Sequence, residues 1–271
     1  MSGDEVSTTL ERKFKERLER RRKNGTQRQL MTAKNHVDFS SNDFLSLATD
    51  LSLRSAFLAE LSSSNFPIGS GGSRLLDGNS SYAEALEQEI AAFHNAESGL
   101  LFNSGFDANA GFFACVPQKG DVVVYDELIH ASVHDGMRLS RASHTVPFRH
   151  NDVEHLRETL KELVSNERRG HAFLRGESHV FVAVEAVYSM DGDLAPLTAI
   201  VSAVETVLGL QGGYIVVDEA HATGVLGHHG RGLVCSQGLE KRVFARLHTF
   251  GKALGCNGGR DAFLRMRENL Y

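Results

Sequence analysis

The sequence predicts an α/β fold, a mainly parallel β-sheet with helices on both faces. Short β-branched runs recur along the chain, DVVVYD at 121–126, HVFVAVEAVYS at 179–189 and GGYIVVDEAH at 212–221. Segments with helical patterning, such as 152–166 and 197–209, separate them. A continuous apolar strand is one buried on both faces, and strand–helix alternation is what a parallel sheet with crossover helices requires. With 271 residues, 41% of them apolar, the chain can fill the core that such a sheet needs.

Taken in order, residues 11–30 hold nine basic and three acidic residues, with Phe14, Leu18 and Leu10 as the apolar stripe. They read as a polar N-terminal helix. A solvated surface helix and a basic arm for an anionic substrate or partner both fit, and position alone does not decide. VDFSSNDFLSL is expected to form a short strand leading into a turn, followed by a helix over 53–65 and the glycine-rich loop FPIGSGGSRLLDG. Ser81 and Glu84 have capping-box spacing, and Tyr82, Leu86, Ile90 and Phe93 keep near-helical spacing, so 80–95 is predicted to be an amphipathic helix. GLLFNSGFDAN (99–109) reads as a strand-like run that breaks at Ser104-Gly105-Phe106 into a helix.

Composition excludes several classes of function. A formal net charge of -5 gives no electrostatic reason to expect a nucleic-acid partner. Cys115, Cys235 and Cys256 are odd in number and lack CxxC spacing, which argues against a disulfide framework and a structural zinc site. A reducing, cytoplasmic setting is expected. No apolar run approaches the roughly 20 residues of a membrane-spanning helix, and the charged N-terminus lacks the apolar stretch of a secretory signal. The histidines, His228-His229 included, show no HExxH or comparable metal spacing.

The polar residues that could carry chemistry lie at strand ends, where open α/β sheets bind ligands. YIVVDEAH delivers Asp218, Glu219 and His221. The spelling DEAH suggests a nucleotide-triphosphatase, but the single Gly-Lys dipeptide, Gly251-Lys252, is followed by Ala253 and has no GxxxxGK[ST] cradle. Asp218 can instead pair with a protonated heterocyclic nitrogen, with His221 at the edge of the same ring; the plainer alternative is that Asp218 caps the following segment. HTFGKALGCNGG (248–259) sets Lys252 among glycines with no acidic neighbour, a placement from which a lysine can form a Schiff base with an aldehyde. Ser104-Gly105-Phe106 at a helix start offers amides to a phosphate. His130 in DELIHASVHDG and Ser189 in EAVYSMDGD follow apolar strands; Ser189 lacks a GxSxG elbow, so a serine hydrolase is not expected.

Seven segments in one order, DFSSNDFLSL, GSGGSRLLDG, LLFNSGFDAN, DELIHAS, YSMDGD, VDEAHATGVLGHHGRG and TFGKALG, resemble the α-oxoamine synthase family over about residues 28 to 259. These are fold-type I pyridoxal-phosphate enzymes that condense an amino acid with an acyl-coenzyme A and lose carbon dioxide. The resemblance implies the large domain of that fold, with pyridoxal 5'-phosphate carried on Lys252, which then acts as the base at the α-carbon. It implies that Asp218 pairs with the pyridine nitrogen and that His130 stacks on the ring. His221 and Ser189 would sit around the ring hydroxyl, Gly105, Phe106 and Thr249 would contact the phosphate, and Arg28 would meet the substrate carboxylate. Within the family, the motifs look most like those of 8-amino-7-oxononanoate synthases, which join alanine to a pimeloyl thioester in biotin biosynthesis. FDANAGFF and HDGMRLSRA are also similar to glycine C-acetyltransferases, whereas serine palmitoyltransferases and 5-aminolevulinate synthases fit less well.

The implied organisation is an N-terminal helical arm at 1–37, a cofactor-binding large domain at 38–259 and an atypical tail at 260–271. The family continues well past its lysine into a further strand and a small C-terminal domain, whereas this sequence has nineteen residues after Lys252. A truncated chain is therefore expected, either still an acyltransferase or a non-catalytic module that binds cofactor. The family also implies a homodimer, with the glycine-rich loop 69–72 near the subunit interface.

Overall fold

Val122 and Val124 pack into one apolar core, and Val123 packs into another. This division, set by the two-residue period of a strand, runs through the whole sheet of the computed structural model, which describes residues 8–30, 37–63, 69–165, 167–256 and 263–264. The strands are β1 (Val122–Asp126), β2 (His144–Phe148), β3 (Val180–Glu185), β4 (Gly213–Asp218), β5 (Ala245–Leu247) and β6 (Phe263–Leu264). Their order across the sheet is β2-β1-β3-β4-β5-β6. The first five are parallel, and β6 runs antiparallel to β5.

The helices of this unit are α2 (Leu51–Ser63), α3 (Ser81–Phe93), α4 (Gly105–Cys115), α5 (Ala131–Leu139), α6 (Val153–Ser165), α7 (Glu167–Leu174), α8 (Leu197–Gly212) and α9 (Leu233–Ser236). Leu156 and Leu160 of α6 and Ile200 and Val204 of α8 cover one face of the sheet, against Val182, Val184, Ile215 and Val217. Ala108, Phe112 and Phe113 of α4 and Val133 of α5 cover the other, against Phe181, Val216 and Leu247. The predicted parallel sheet with helices on both faces is thus the fold. Residues 1–40 form a separate compact unit from residues 41–271. In that first unit, α1 (Thr9–Lys23) begins with a capping box between Thr8 and Glu11 and is exposed throughout. Among the described residues, no helix is long and apolar enough to cross a membrane.

Three local expectations are corrected. No strand forms among the described residues of VDFSSNDFLSL; the Asp43 carboxylate instead accepts the Leu47 and Ala48 amides at 2.9 and 3.3 Å, which favours a tight helical turn over an extended chain. The run 99–103 keeps only a bridge at Leu100 and no strand, and the Leu101 amide donates instead to the Glu87 carboxylate at 2.7 Å. The cap of α3 is Ser80, whose hydroxyl accepts the Ala83 amide at 3.1 Å, one residue earlier than expected. Glu84 receives the Asn79 side-chain amide rather than closing a capping box.

Candidate active site

The carboxyl ends of β3 and β4 and the segment after β5 open into a cavity of about 460 Å³. Ser104, Gly105, Phe106, His130, Asp218, Thr249 and Lys252 line it, so most of the residues singled out in the sequence come together. Glu185 and Asn109 join them, and neither was anticipated.

Asp218 closes β4, which lies between β3 and β5, and the side chain is buried as a consequence. Its Oδ2 accepts a hydrogen bond from Asn109 Nδ2 of α4 at 2.7 Å, and its Oδ1 accepts the Ala220 amide at 2.9 Å. Asp218 therefore caps the next turn while lining the cavity. Glu219, one residue on, points the other way and accepts the Leu233 and Val234 amides at the start of α9, at 2.8 and 2.9 Å. Burial raises Glu219 to about 7, against the lowering effect of those two amides. The DEAH string thus splits between two faces of the strand. No cluster of three metal-ligating side chains exists among the described residues.

His130 caps α5. Its Nδ1 accepts the Ser132 amide at 3.2 Å and lies 2.7 Å from the Ser132 hydroxyl, and the ring meets Phe106 edge-on at 6.2 Å. Burial lowers its pKa, with the positive charge of Lys252 adding to the effect and Asp218 opposing it, so a neutral imidazole faces the cavity. Ser104 caps α4 by accepting the Asp107 amide at 2.9 Å, which leaves the first-turn amides of Gly105 and Phe106 without helical partners. Gly105 packs closely on the segment after β5: a Cβ there would lie 3.0 Å from Cβ and 3.2 Å from Oγ1 of Thr249, so Thr249 would have to give by a few tenths of an ångström.

Among the described residues the Lys252 side chain makes no hydrogen bond or ion pair, while its carbonyl accepts the Gly255 amide at 2.9 Å. Burial lowers its pKa, and Asp218 and Glu185 pull against that shift. Glu185 is the register partner of Asp218 across β3 and β4, and both are buried. Burial first, then the neighbouring Asp218 charge, pushes Glu185 up to about 8. Two desolvated carboxyls side by side do not both ionise readily, which is the physical reason that Glu185 is pushed up. The sequence signal for Glu185 was present, an acid ending the apolar run VFVAVE, but its meaning rests on the register between strands.

Three expected residues are not among those that line the cavity. His221 is outside the cavity lining, with its ring 6.1 Å from Phe44; burial first, then Lys252, lowers it to about 4. Ser189 is exposed in the hairpin that follows β3. Arg28 is exposed in the first unit, beyond the end of α1.

The sequence matches the family "Aminotransferase class I and II" over residues 34–270. It is 57% identical over 224 residues to the 8-amino-7-oxononanoate synthase of Emericella nidulans, covering 82% of this chain and 54% of that protein. The fold superposes on a serine palmitoyltransferase of Sphingomonas wittichii with a TM-score of 0.71 at 32% identity, covering 84% of this chain and 52% of the other. A high-resolution structure of SPT with PLP as internal aldimine matches with a TM-score of 0.71 at 31% identity, covering 84% of this chain and 52% of that one. The chain spans about half the length of the curated relatives it matches. The match over residues 34–270 shows that the chain belongs to the aminotransferase class I and II family.

Proposed function

We propose that this chain binds pyridoxal 5'-phosphate through Lys252 and serves an acyltransferase reaction in which an amino acid condenses with an acyl-coenzyme A or related thioester. The carrying observation is that one cavity gathers Lys252, Asp218, His130, Thr249 and the amino end of α4 from four separate segments. Each matches one chemical handle of the cofactor. Asp218, fixed by Asn109, suits a protonated ring nitrogen; the neutral His130 ring suits stacking; the α4 amides and the Thr249 hydroxyl suit a phosphate. When bound, the cofactor supplies an electron sink for negative charge at the amino acid's α-carbon.

Lys252 acts through Nζ. An amine whose charged form is disfavoured by burial is available both to join an aldehyde and to take a proton from the α-carbon. Glu185, retaining its proton, limits the negative charge beside that nitrogen. In the overall reaction a carbon–carbon bond forms between the α-carbon and the thioester carbonyl, the carbon–sulfur bond breaks, and the carboxylate leaves as carbon dioxide.

The finer assignments rest on the motif resemblance. Alanine with a pimeloyl thioester, the 8-amino-7-oxononanoate synthase pair of biotin biosynthesis, is the preferred substrate pair, with Arg28 holding the carboxylate and His221 and Ser189 serving the ring hydroxyl. The proposed division is an arm at 1–37, a cofactor-binding domain at 38–259 and a tail at 260–271, in a homodimer whose interface lies near loop 69–72. The structural likeness to serine palmitoyltransferases favours a second reading, serine with a long-chain acyl donor. The test is thiol release by purified protein with pyridoxal 5'-phosphate, offering alanine, glycine or serine against acetyl-, pimeloyl- and palmitoyl-coenzyme A. Release greatest with alanine and pimeloyl-coenzyme A supports the first reading, and release greatest with serine and palmitoyl-coenzyme A supports the second. Cofactor binding without release from any pair defines a non-catalytic binding module.

A further inference from the structure

His150 lies outside the cavity, yet both of its ring nitrogens meet carboxylates: Nδ1 is 2.9 Å from Asp126 Oδ1 and Nε2 is 2.7 Å from Asp193 Oδ2. Carboxylates only accept, so this geometry asks for an N–H at each ring nitrogen, which is the imidazolium. Burial opposes the charge, and the hydrogen bonds to Asp126 and Asp193 outweigh it, raising His150 above its ordinary value. Asn151 completes the bracket, donating its backbone amide to Asp126 at 2.9 Å and its side-chain amide to Asp193 at 2.6 Å, from a left-handed φ of 54°. Tyr188 meets the His150 ring edge-on at 4.5 Å.

The two acids belong to different segments. Asp126 ends β1 and shapes the turn leading to His130, its Oδ1 accepting the Leu128 amide at 3.0 Å and its carbonyl accepting the Ile129 amide at 2.9 Å. Asp193 belongs to the hairpin 187–194, closed by the Val187–Leu194 bridge and by the Tyr188 amide donating to the Asp193 carbonyl at 3.0 Å. Ser189 and Met190 stand exposed at its tip.

We propose that His150 is a positioning residue for the cofactor site, its doubly protonated ring pinning the Ser189 hairpin to the turn that delivers His130. The role in cofactor binding rests on the reading given above; the pinning itself does not. The groups facing the imidazole are Asp126 from β1, Asp193 and Tyr188 from the hairpin, and Asn151 and the Glu127 carboxylate at its own backbone, the last accepting the His150 amide at 3.0 Å. A histidine raised on folding contributes its interaction fully below its unfolded value and loses it as pH climbs through the folded one. The hairpin should accordingly loosen on the alkaline side.

Two measurements on the full chain test this. Hydrogen exchange over 187–194 in cofactor-free protein at about pH 6.5 should be roughly five- to tenfold faster in His150→Gln than in wild type, and the difference should shrink at about pH 9 as the wild-type bracket discharges. Asp193→Asn, which removes only the hairpin's charge, should give the same acceleration and guards against a folding defect in the first variant. The dissociation constant for pyridoxal 5'-phosphate, read by fluorescence, should rise about three- to tenfold in both variants, and the wild-type profile should follow the His150 titration seen by NMR. Equal exchange in variants and wild type overturns the pinning. Faster exchange with unchanged cofactor affinity overturns the positioning role. Absence of cofactor binding in wild type refutes the cofactor reading instead, and the exchange result still decides the pinning.

Discussion

Asn109 Nδ2 donates to Asp218 Oδ2 at 2.7 Å, a buried bond from α4 to the end of β4 across the wall of the cavity. It holds the carboxylate that would meet a ring nitrogen, and it leaves Asp218 satisfied in both oxygens when the Ala220 amide is counted. Truncating Asn109 to Ala leaves Oδ2 of the buried Asp218 without this donor, with the Ala220 amide on Oδ1 remaining. The expected loss is about 1–3 kcal/mol, or roughly 5- to 150-fold in pyridoxal 5'-phosphate affinity, measurable by titrating cofactor fluorescence. An unchanged affinity would mean that Asp218 is held by something other than Asn109.

Glu185 gives the cofactor-free protein a pH dependence of definite sign. A carboxyl whose pKa rises on folding, here to about 8, stabilises most below its unfolded value and loses that contribution as pH rises through the folded one. Glu219, raised to about 7, shares the sign. Glu185→Gln removes one of the two. Urea unfolding should show the variant gaining on the order of 2 kcal/mol relative to wild type between about pH 6 and pH 8.5. Parallel profiles would show that Glu185 ionises normally in the fold.

Gly105 and Thr249 define the phosphate end. A methyl group at Gly105 would sit 3.0 Å from Thr249 Cβ, so the Thr249 side chain would have to shift by a few tenths of an ångström at the phosphate end. Gly105→Ala is therefore expected to weaken pyridoxal 5'-phosphate binding by about tenfold and to leave the weaker binding of pyridoxal, which has no phosphate, nearly unchanged. Equal losses for both ligands would place the phosphate elsewhere.

The parts of the fold that were legible in the sequence are those buried on both sides. β1, β3 and β4 are central, and their unbroken apolar runs reflect two cores meeting one strand. β2 was not legible: HTVPF lies at the sheet edge, mostly outside full burial, and carries Pro147, so it lacks the apolar run that marks its neighbours. The short strand expected to open VDFSSNDFLSL failed because the Asp38 and Asp43 carboxylates capture nearby amides, a local competition that periodicity does not register. In the site, Asp218, His130, Thr249 and Lys252 announced themselves by residue type after apolar runs. Glu185 and His150 did not, since the partners that give them meaning, Asp218 across a strand pair and Asp126 and Asp193 on two other segments, are brought near only by the sheet.

Lys252 is the residue on which the account turns. The measurement that tests it most directly is the visible absorbance of purified protein mixed with pyridoxal 5'-phosphate, compared between wild type and Lys252→Ala. A wild-type band that borohydride traps on the peptide containing Lys252, and that the variant lacks, is the predicted result. A band of equal intensity in the variant, or none in wild type, would contradict it.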